Sequence, residues 1–116
     1  MNVLHDGNVV IPHLEVADRF WRRLLGYMGR AVPPAGHALY LTPCRSIHTF
    51  FMRFPIDVIF LDRNGRIINT LLNLSPWRIA LAPTTTTSVI ELSSGCPVVA
   101  ELRPGDTLIL HEGFLR

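Results

Sequence analysis

Three ionisable side chains, His48, Arg53 and Asp57, interrupt the apolar β-pattern of the stretch from Ser46 to Gly65, before the turn that closes it. Asp57 lies inside the apolar run Ile56 to Leu61, where both faces of an extended strand carry apolar residues. A carboxylate shielded from water in this way must be paired or protonated. The pattern therefore allows two interpretations of Asp57. It is either a catalytic or ligand-binding carboxylate, or a structural one held by a cation or by loop amides.

His48 shares a predicted strand face with Phe50 and Met52. An imidazole among such neighbours acts as a general base, binds a metal, or packs as a neutral ring with one hydrogen bond. Taken alone, the pattern favours the packed ring. As partners for Asp57, the sequence offers His48 itself, Arg53 and the more distant Arg30.

Cys44 precedes His48 by four residues, a spacing that fits a thiol–imidazole nucleophile or two soft metal ligands. No second Cys/His pair with ligand spacing follows, so the sequence assigns no metal site and names no cofactor. Glu91, in the apolar run Val89 to Leu92, is a candidate second carboxylate for paired-acid chemistry with Asp57, or else a residue on a solvated face.

The remaining pattern predicts short strands around one helix. The opening residues predict a β-hairpin with its turn at His5 to Asn8. A helix is predicted from Asp18, a suitable N-cap, to Gly26, which favours the left-handed conformation of a helix end. Further strands are predicted at His37–Leu41, Ile47–Arg53, Ile56–Leu61, Arg66–Leu74, Ser88–Leu92 and Thr107–His111, with a turn at Asp62–Gly65. Together these elements predict a mainly β, single-domain antiparallel sandwich or barrel-like fold over residues 1–116, with one short N-terminal helix.

Composition narrows the function classes. The chain has 116 residues, 48% of them hydrophobic and 17% charged, as expected for a globular domain. Its net charge of +2 is too small to indicate nucleic acid or an anionic membrane as partner. No export signal or membrane span is recognisable. Two distant cysteines without a CxxC pair fit reduced thiols, so a cytoplasmic location is expected.

Three ordered blocks of this sequence resemble the domain of unknown function 192 family of small bacterial and archaeal proteins. The blocks are Arg23 to Arg30; His48 to Met52 with Pro55 to Asp62; and Pro76, Val89 to Leu92, Gly95, Gly105 and Asp106. The chain departs from the family pattern at Phe51, where a tryptophan is usual, and at Arg53-Phe54, where Asn-Thr is usual. The resemblance implies a compact, mainly β domain. It also implies a joint role for Arg30, His48, Asp57 and Glu91, but it supplies no reaction.

Two functional hypotheses follow. The first is a non-catalytic accessory module that binds a small molecule or a protein. Its predicted ligand-binding residues are Arg30, His48, Phe51, Arg53, Asp57 and Glu91. The second is a small hydrolase or lyase in which Asp57 and His48 form an acid–base pair and Cys44 or a metal completes the site. The sequence does not decide whether the protein is an enzyme.

Overall fold

The computed structural model describes residues 1–17 and 27–111. Within these residues, ten strands form from runs of β-branched and other apolar residues. Turns that contain glycine or proline separate these runs. The strands are β1 (Asn2–His5), β2 (Asn8–Ile11), β3 (His13–Ala17), β4 (His37–Leu41), β5 (Ser46–His48), β6 (Ile56–Leu61), β7 (Ile67–Leu74), β8 (Ile79–Leu81), β9 (Ser88–Ser93) and β10 (Ile109–His111). One short helix, α1 (Pro97–Glu101), lies between β9 and β10. The helix predicted from Asp18 to Gly26 lies outside the described residues.

The described strands form three sheets, with the orders β10-β1-β2, β3-β4-β9-β6-β7 and β5-β8. The mainly β prediction is confirmed. Of the two predicted architectures, sandwich or barrel-like, the described sheets form no closed barrel, because β3 and β7 each pair on one side only. Pairing is antiparallel as predicted except between β3 and β4, which are parallel. A parallel pair needs a connection of about a dozen residues or more. The 19 residues between Ala17 and His37 provide that length.

The predicted strand Ile47–Arg53 ends early, at His48. Thr49 is fully buried, and its hydroxyl bonds to the Ser75 carbonyl and to the Arg78 N–H. Phe51 then adopts a left-handed backbone conformation with φ of 62°, which lies outside the β region and turns the chain. Strand β8, which pairs with β5, lies in a segment for which no strand was predicted.

Strands β6 and β9 form the centre of the five-stranded sheet and separate two apolar cores. All six residues of β6 are buried, as expected for a strand covered on both faces. The first core contains Val3, Ile11, Leu14, Ala38, Ile59, Leu61, Ile67, Ile90, Leu92, Val99, Leu102 and Leu108. The second contains Ala17, Tyr27, Leu39, Leu41, Ile47, Met52, Phe54, Ile56, Val58, Phe60 and Val89. The radius of gyration is 13.0 Å, close to the value of about 13 Å for a compact domain of roughly 100 residues.

The predicted turn at Asp62–Gly65 is confirmed and joins β6 to β7. Asp62 Oδ1 accepts hydrogen bonds from the backbone N–H groups of Asn64 and Arg66, at 2.8 and 3.0 Å. Gly65 has φ of +79°, and its carbonyl accepts a 2.8 Å bond from the backbone N–H of Leu108. A Cβ at position 65 would lie 2.5 Å from the carbonyl oxygen of Leu108. The turn therefore requires glycine for close packing as well as for its backbone conformation.

We expect Gly65→Ala to lower the free energy of unfolding by about 1–3 kcal/mol more than Gly7→Ala does. Both positions have φ near +80°, so both alanines are strained, but a Cβ at Gly7 meets nothing within 4 Å. The difference between the two variants in urea titrations isolates the collision with Leu108. Equal losses would show that the packing of Gly65 against Leu108 contributes nothing.

Candidate functional site

Asp57 is buried in β6 and binds two turns through separate oxygens. Its Oδ1 accepts a 2.8 Å hydrogen bond from the backbone N–H of Asn73, and its Oδ2 accepts a 3.3 Å bond from that of Gly95. Ser94 reinforces the contact, since its hydroxyl donates to Asn73 Oδ1 at 2.9 Å and its N–H donates to the Pro55 carbonyl at 3.1 Å. The side chain thus joins the end of β7 to the turn after β9. This geometry matches the structural interpretation of Asp57, with loop amides as its partners.

Asp57 and Glu91 lie on opposite faces of the central sheet. In the antiparallel pairing of β6 with β9, Asp57 is opposite Leu92, whereas Glu91 is opposite Val58. Directly paired residues share a face, and neighbouring residues of a strand alternate between faces. The two carboxyl groups therefore have the sheet between them. The structure does not bring them together as a paired-acid site.

Glu91 points into the second core and is only 2% exposed. Its Oε1 atom has no hydrogen-bond partner among the described residues. Burial raises the pKa of Glu91 to about 8, so the carboxyl group is largely protonated at neutral pH. Burial, followed by the nearby Glu91 charge, also raises the pKa of the Tyr27 phenol. Glu91 and Tyr27 therefore form a buried polar pair on this side of the sheet.

Arg30 lies apart from Asp57 and pairs with Glu15. Two parallel hydrogen bonds of 3.1 Å join its guanidinium to the Glu15 carboxylate, and this bonding raises the pKa of Arg30. The guanidinium also lies 5.7 Å from the centre of the Tyr27 ring. All three residues line an open cavity of about 630 Å³, together with the stacked rings of His13 and His37, whose centroids are 4.6 Å apart. Sequence reasoning missed both histidines and Glu15, because their proximity depends on the parallel pairing of β3 and β4.

The residues of the hydrolase or lyase hypothesis have separate partners. The Cys44 thiol donates a 3.1 Å hydrogen bond to the Ser46 carbonyl, and the His48 ring packs 5.4 Å from that of Phe50. Both oxygens of Asp57 accept from main-chain amides, as described above. In the described part of the chain, no group of three or more His, Cys, Asp or Glu side chains is arranged to hold a metal ion. Cys44 and Cys96 are not joined in a disulfide and pack against different cores.

A third cluster, here called the aromatic surface, consists of two exposed rings and one half-buried ring: Phe51, Trp77 and Phe50. Phe51 is 60% exposed and Trp77 is 56% exposed, and their rings meet edge to face with centroids 4.7 Å apart. The Phe50 ring lies 6.0 Å from Trp77 and joins the pair to His48. Arg53, two residues after Phe51, is also exposed. Of the predicted ligand-binding residues, His48 and Phe51 are thus linked through the rings of Phe50 and Trp77, whereas Asp57 and Glu91 have the separate surroundings described above.

Thr49 positions the aromatic surface. Its hydroxyl donates a 2.6 Å bond to the Ser75 carbonyl and accepts a 2.7 Å bond from the Arg78 N–H. Its carbonyl accepts a 2.9 Å bond from the Trp77 N–H. Sequence reasoning missed Thr49 and Trp77 as functional candidates. The available signal was a tryptophan placed between Pro76 and Arg78, where a turn exposes a large ring.

The model of the uncharacterized ACR family, domain of unknown function 192, matches residues 2–110. The chain belongs to this family. A domain of unknown function 192 relative, a UPF0127 protein of Pyrococcus abyssi, is 37% identical over 99 residues, which cover 80% of this chain and 81% of that protein. A UPF0127 protein of Pyrococcus furiosus is 31% identical over 107 residues, with 88% and 90% covered.

A solved structure of a protein of unknown function from Novosphingobium aromaticivorans resembles this chain, with a TM-score of 0.81 and 20% sequence identity. The alignment covers 94% of this chain and 82% of that protein. At this identity the likeness shows the fold alone. The resemblance found in the sequence motifs is thus confirmed as family membership, and the assignment of a site depends on the geometry described above.

We expect Asp57→Asn to lower the free energy of unfolding by about 2 kcal/mol, because the asparagine amide replaces one of two accepting oxygens and leaves a buried N–H unpaired. Asp62→Asn is the matched control, since a single oxygen of Asp62 accepts both of its hydrogen bonds. Urea titration of the two variants measures the difference. A stable Asp57→Asn variant would contradict the structural role.

As the pH rises from 5 to 8, we expect the free energy of unfolding of the wild type to fall by about 3 kcal/mol relative to that of Glu91→Gln. The folded protein keeps a proton on Glu91 up to about pH 8, whereas the unfolded chain releases it near the ordinary value of 4.5. The stabilisation is therefore complete below pH 4.5 and is lost as the pH rises towards 8.

Chemical denaturation across this pH range measures the effect of Glu91→Gln. Glu101→Gln, at an exposed position in α1, is the control and should follow the wild-type curve. If the stability curves of Glu91→Gln and wild type ran parallel, the raised pKa of Glu91 would be wrong.

Proposed function

We propose that this protein is a non-catalytic binding module whose aromatic surface binds an apolar segment of another protein. The observation that carries the proposal is the backbone conformation of Phe51 and Trp77. These two large exposed side chains have φ of 62° and 66°, in the left-handed region. That conformation costs a residue with a Cβ roughly 1–2 kcal/mol. A strained backbone that presents apolar rings to solvent is typical of a binding site.

Two other non-glycine residues of the described chain have positive φ, namely Asp6 and Asn73. Aspartate and asparagine adopt this conformation more easily than other residues with a Cβ. Where only turn geometry matters, this chain therefore uses a residue suited to the turn. At positions 51 and 77 it uses Phe and Trp instead. The choice supports a requirement for the rings themselves.

Hydrogen bonds from other segments hold both strained residues in place. The Gly29 N–H donates a 3.0 Å bond to the Phe51 carbonyl, and the Thr49 carbonyl accepts from the Trp77 N–H. The rings are thus ordered before a partner arrives, which lowers the conformational entropy lost on binding. Such preorganisation indicates a specific binding surface rather than an apolar patch without a binding role.

The hydrolase or lyase alternative receives no comparable support. The Cys44 thiol donates to the Ser46 carbonyl, the His48 ring packs beside Phe50, and Asp57 accepts from main-chain amides. The thiols of Cys44 and Cys96 are not joined in a disulfide, which supports a cytoplasmic location for this module. The module comprises residues 1–116 as one domain. No helix in the described residues is long and apolar enough to cross a membrane.

We expect the double variant Phe51→Asn/Trp77→Asn to remain within about 1 kcal/mol of wild type in unfolding free energy, or to exceed it, because asparagine relieves strain while the exposed rings contribute little burial. The same variant should lose binding. Panning a phage library of random 12-residue peptides on wild type, with the double variant as counter-selection, measures binding.

Enrichment of sequences that bind wild type and fail to bind the double variant supports the proposal. A library that enriches nothing on wild type relative to the variant contradicts it. So does a variant that loses several kcal/mol of stability, because the rings would then be structural.

A further inference from the structure

Among the strands that the structure describes, β8 pairs with β5 alone, in antiparallel register, with Ile47 opposite Ala80. Its other edge, beside the aromatic surface, has no described strand as partner. The Thr49 N–H donates to the Arg78 carbonyl at 2.8 Å, and the Ala82 N–H donates to the Arg45 carbonyl at 3.1 Å. Hydrogen-bonded pairs alternate along an antiparallel ladder. The main-chain N–H and C=O groups of Ile79 and Leu81 therefore point away from β5, towards the free edge.

The side chains on this edge are apolar and exposed. Ile79 is 64% exposed and Leu81 is 81% exposed, and their two-residue separation places them on one face. Ile79 is opposite His48, whose ring contacts Phe50 of the aromatic surface. Natural sheet edges are commonly protected by charges, proline or bulges. The sequence Ile-Ala-Leu of β8 carries none of these within the strand.

Exposed arginines flank both ends of this ribbon. Arg45 lies opposite Ala82 at one end, and Arg78 lies opposite Thr49 at the other. The third exposed arginine, Arg53, follows Thr49 by four residues. None of the three forms an ion pair with another described residue. The segments 43–56 and 72–87 contain no aspartate or glutamate. The apolar edge is therefore bordered by positive charge alone.

We infer that β8 accepts an extended segment of a partner protein as an added antiparallel strand, and that this segment is apolar at its centre and acidic at its ends. This inference rests on the proposed function and names the partner's chemistry. Two apolar side chains of the segment, two residues apart, lie beside Ile79 and Leu81 and exchange main-chain hydrogen bonds with them. Acidic residues at the segment's ends lie near Arg45 and Arg78.

A second copy of this chain fits the edge less well than an acidic segment does. Pairing β8 with β8 of another copy would bring two sets of like-charged arginines to the same interface, which is unfavourable. The unpaired N–H and C=O groups also favour a peptide over a lipid surface, because a peptide strand supplies main-chain partners in register.

The test uses the terminally blocked peptide Glu-Asp-Val-Thr-Val-Asp-Glu and ¹⁵N-labelled protein. We expect binding to shift the amide signals of Ile79 and Leu81 and to slow their hydrogen exchange. Ile79→Thr should weaken binding about tenfold, because it removes most of one apolar contact. Ile109→Thr, the same change at a 59% exposed residue of a different sheet, should leave the affinity unchanged.

Two further comparisons test the hydrogen bonds and the charges. Methylating both valine nitrogens of the peptide should abolish binding, since those N–H groups pair with β8. Replacing its four acidic residues with lysine should do the same. Arg45→Gln should weaken binding at low salt, whereas Arg63→Gln, at the distant Asp62–Gly65 turn, should not.

The inference is overturned if the lysine peptide or the methylated peptide binds equally well. It is also overturned if light scattering shows that β8 pairs with a second copy, or if phosphatidylserine vesicles bind and the acidic peptide does not. If the acidic peptide fails while library panning yields sequences that depend on Phe51 and Trp77, the edge inference fails and the proposed function stands. If both experiments fail, both proposals fail.

Discussion

The centre of the five-stranded sheet is covered on both faces, and this burial constrains the rest of the molecule. Strands β6 and β9 separate two apolar cores, so the carboxyl groups of Asp57 and Glu91 within them have almost no access to water. Asp57 meets this constraint with two main-chain amides and remains a hydrogen-bond acceptor. Glu91 meets it by holding a proton. The same burial is thus met by hydrogen bonding at one carboxyl group and by a raised pKa at the other.

Because the buried centre leaves little room for a solvent-accessible reaction, the exposed candidate features lie at the periphery of the sheet. Thr49 connects the segment that contains Phe51 to the turn at residues 75–78, because it binds that turn through its hydroxyl, its N–H and its carbonyl. That connection ends β5, starts the turn that presents Phe51, and fixes Trp77 against it. Loops carried by a rigid scaffold are where binding residues commonly occur. The aromatic surface and the β8 edge fit that arrangement.

Membership of the domain of unknown function 192 family fits this division between scaffold and surface. The match extends over residues 2–110, so it includes both cores and the loops between them. The fold similarity at 20% identity shows that the scaffold persists while most side chains differ. The fold therefore tolerates many surfaces, and a function must be argued from the surface that this particular chain presents.

Several features of the protein follow from the sequence alone, because they depend on local interactions. The Asp62–Gly65 turn is local hydrogen bonding, and the strand Ile56–Leu61 is a local run of apolar residues. The placement of Ile56, Val58 and Phe60 on one face follows from strand alternation. The order and spacing of the motifs were sufficient to identify the family, because a family pattern depends only on the order of residues in the chain. Each of these predictions is confirmed by the structure.

Tertiary structure alone decided which partner each polar group has. Alternation places Asp57 and Glu91 on faces of their own strands, but only the register of β6 with β9 shows that those faces are opposite ones. The proximity of Glu15 to Arg30, the parallel pairing of β3 with β4, and the contact of Phe51 with Trp77 join residues 15 to 26 positions apart. Chain periodicity carries no information about contacts at such separations, because they depend on how the elements pack in three dimensions.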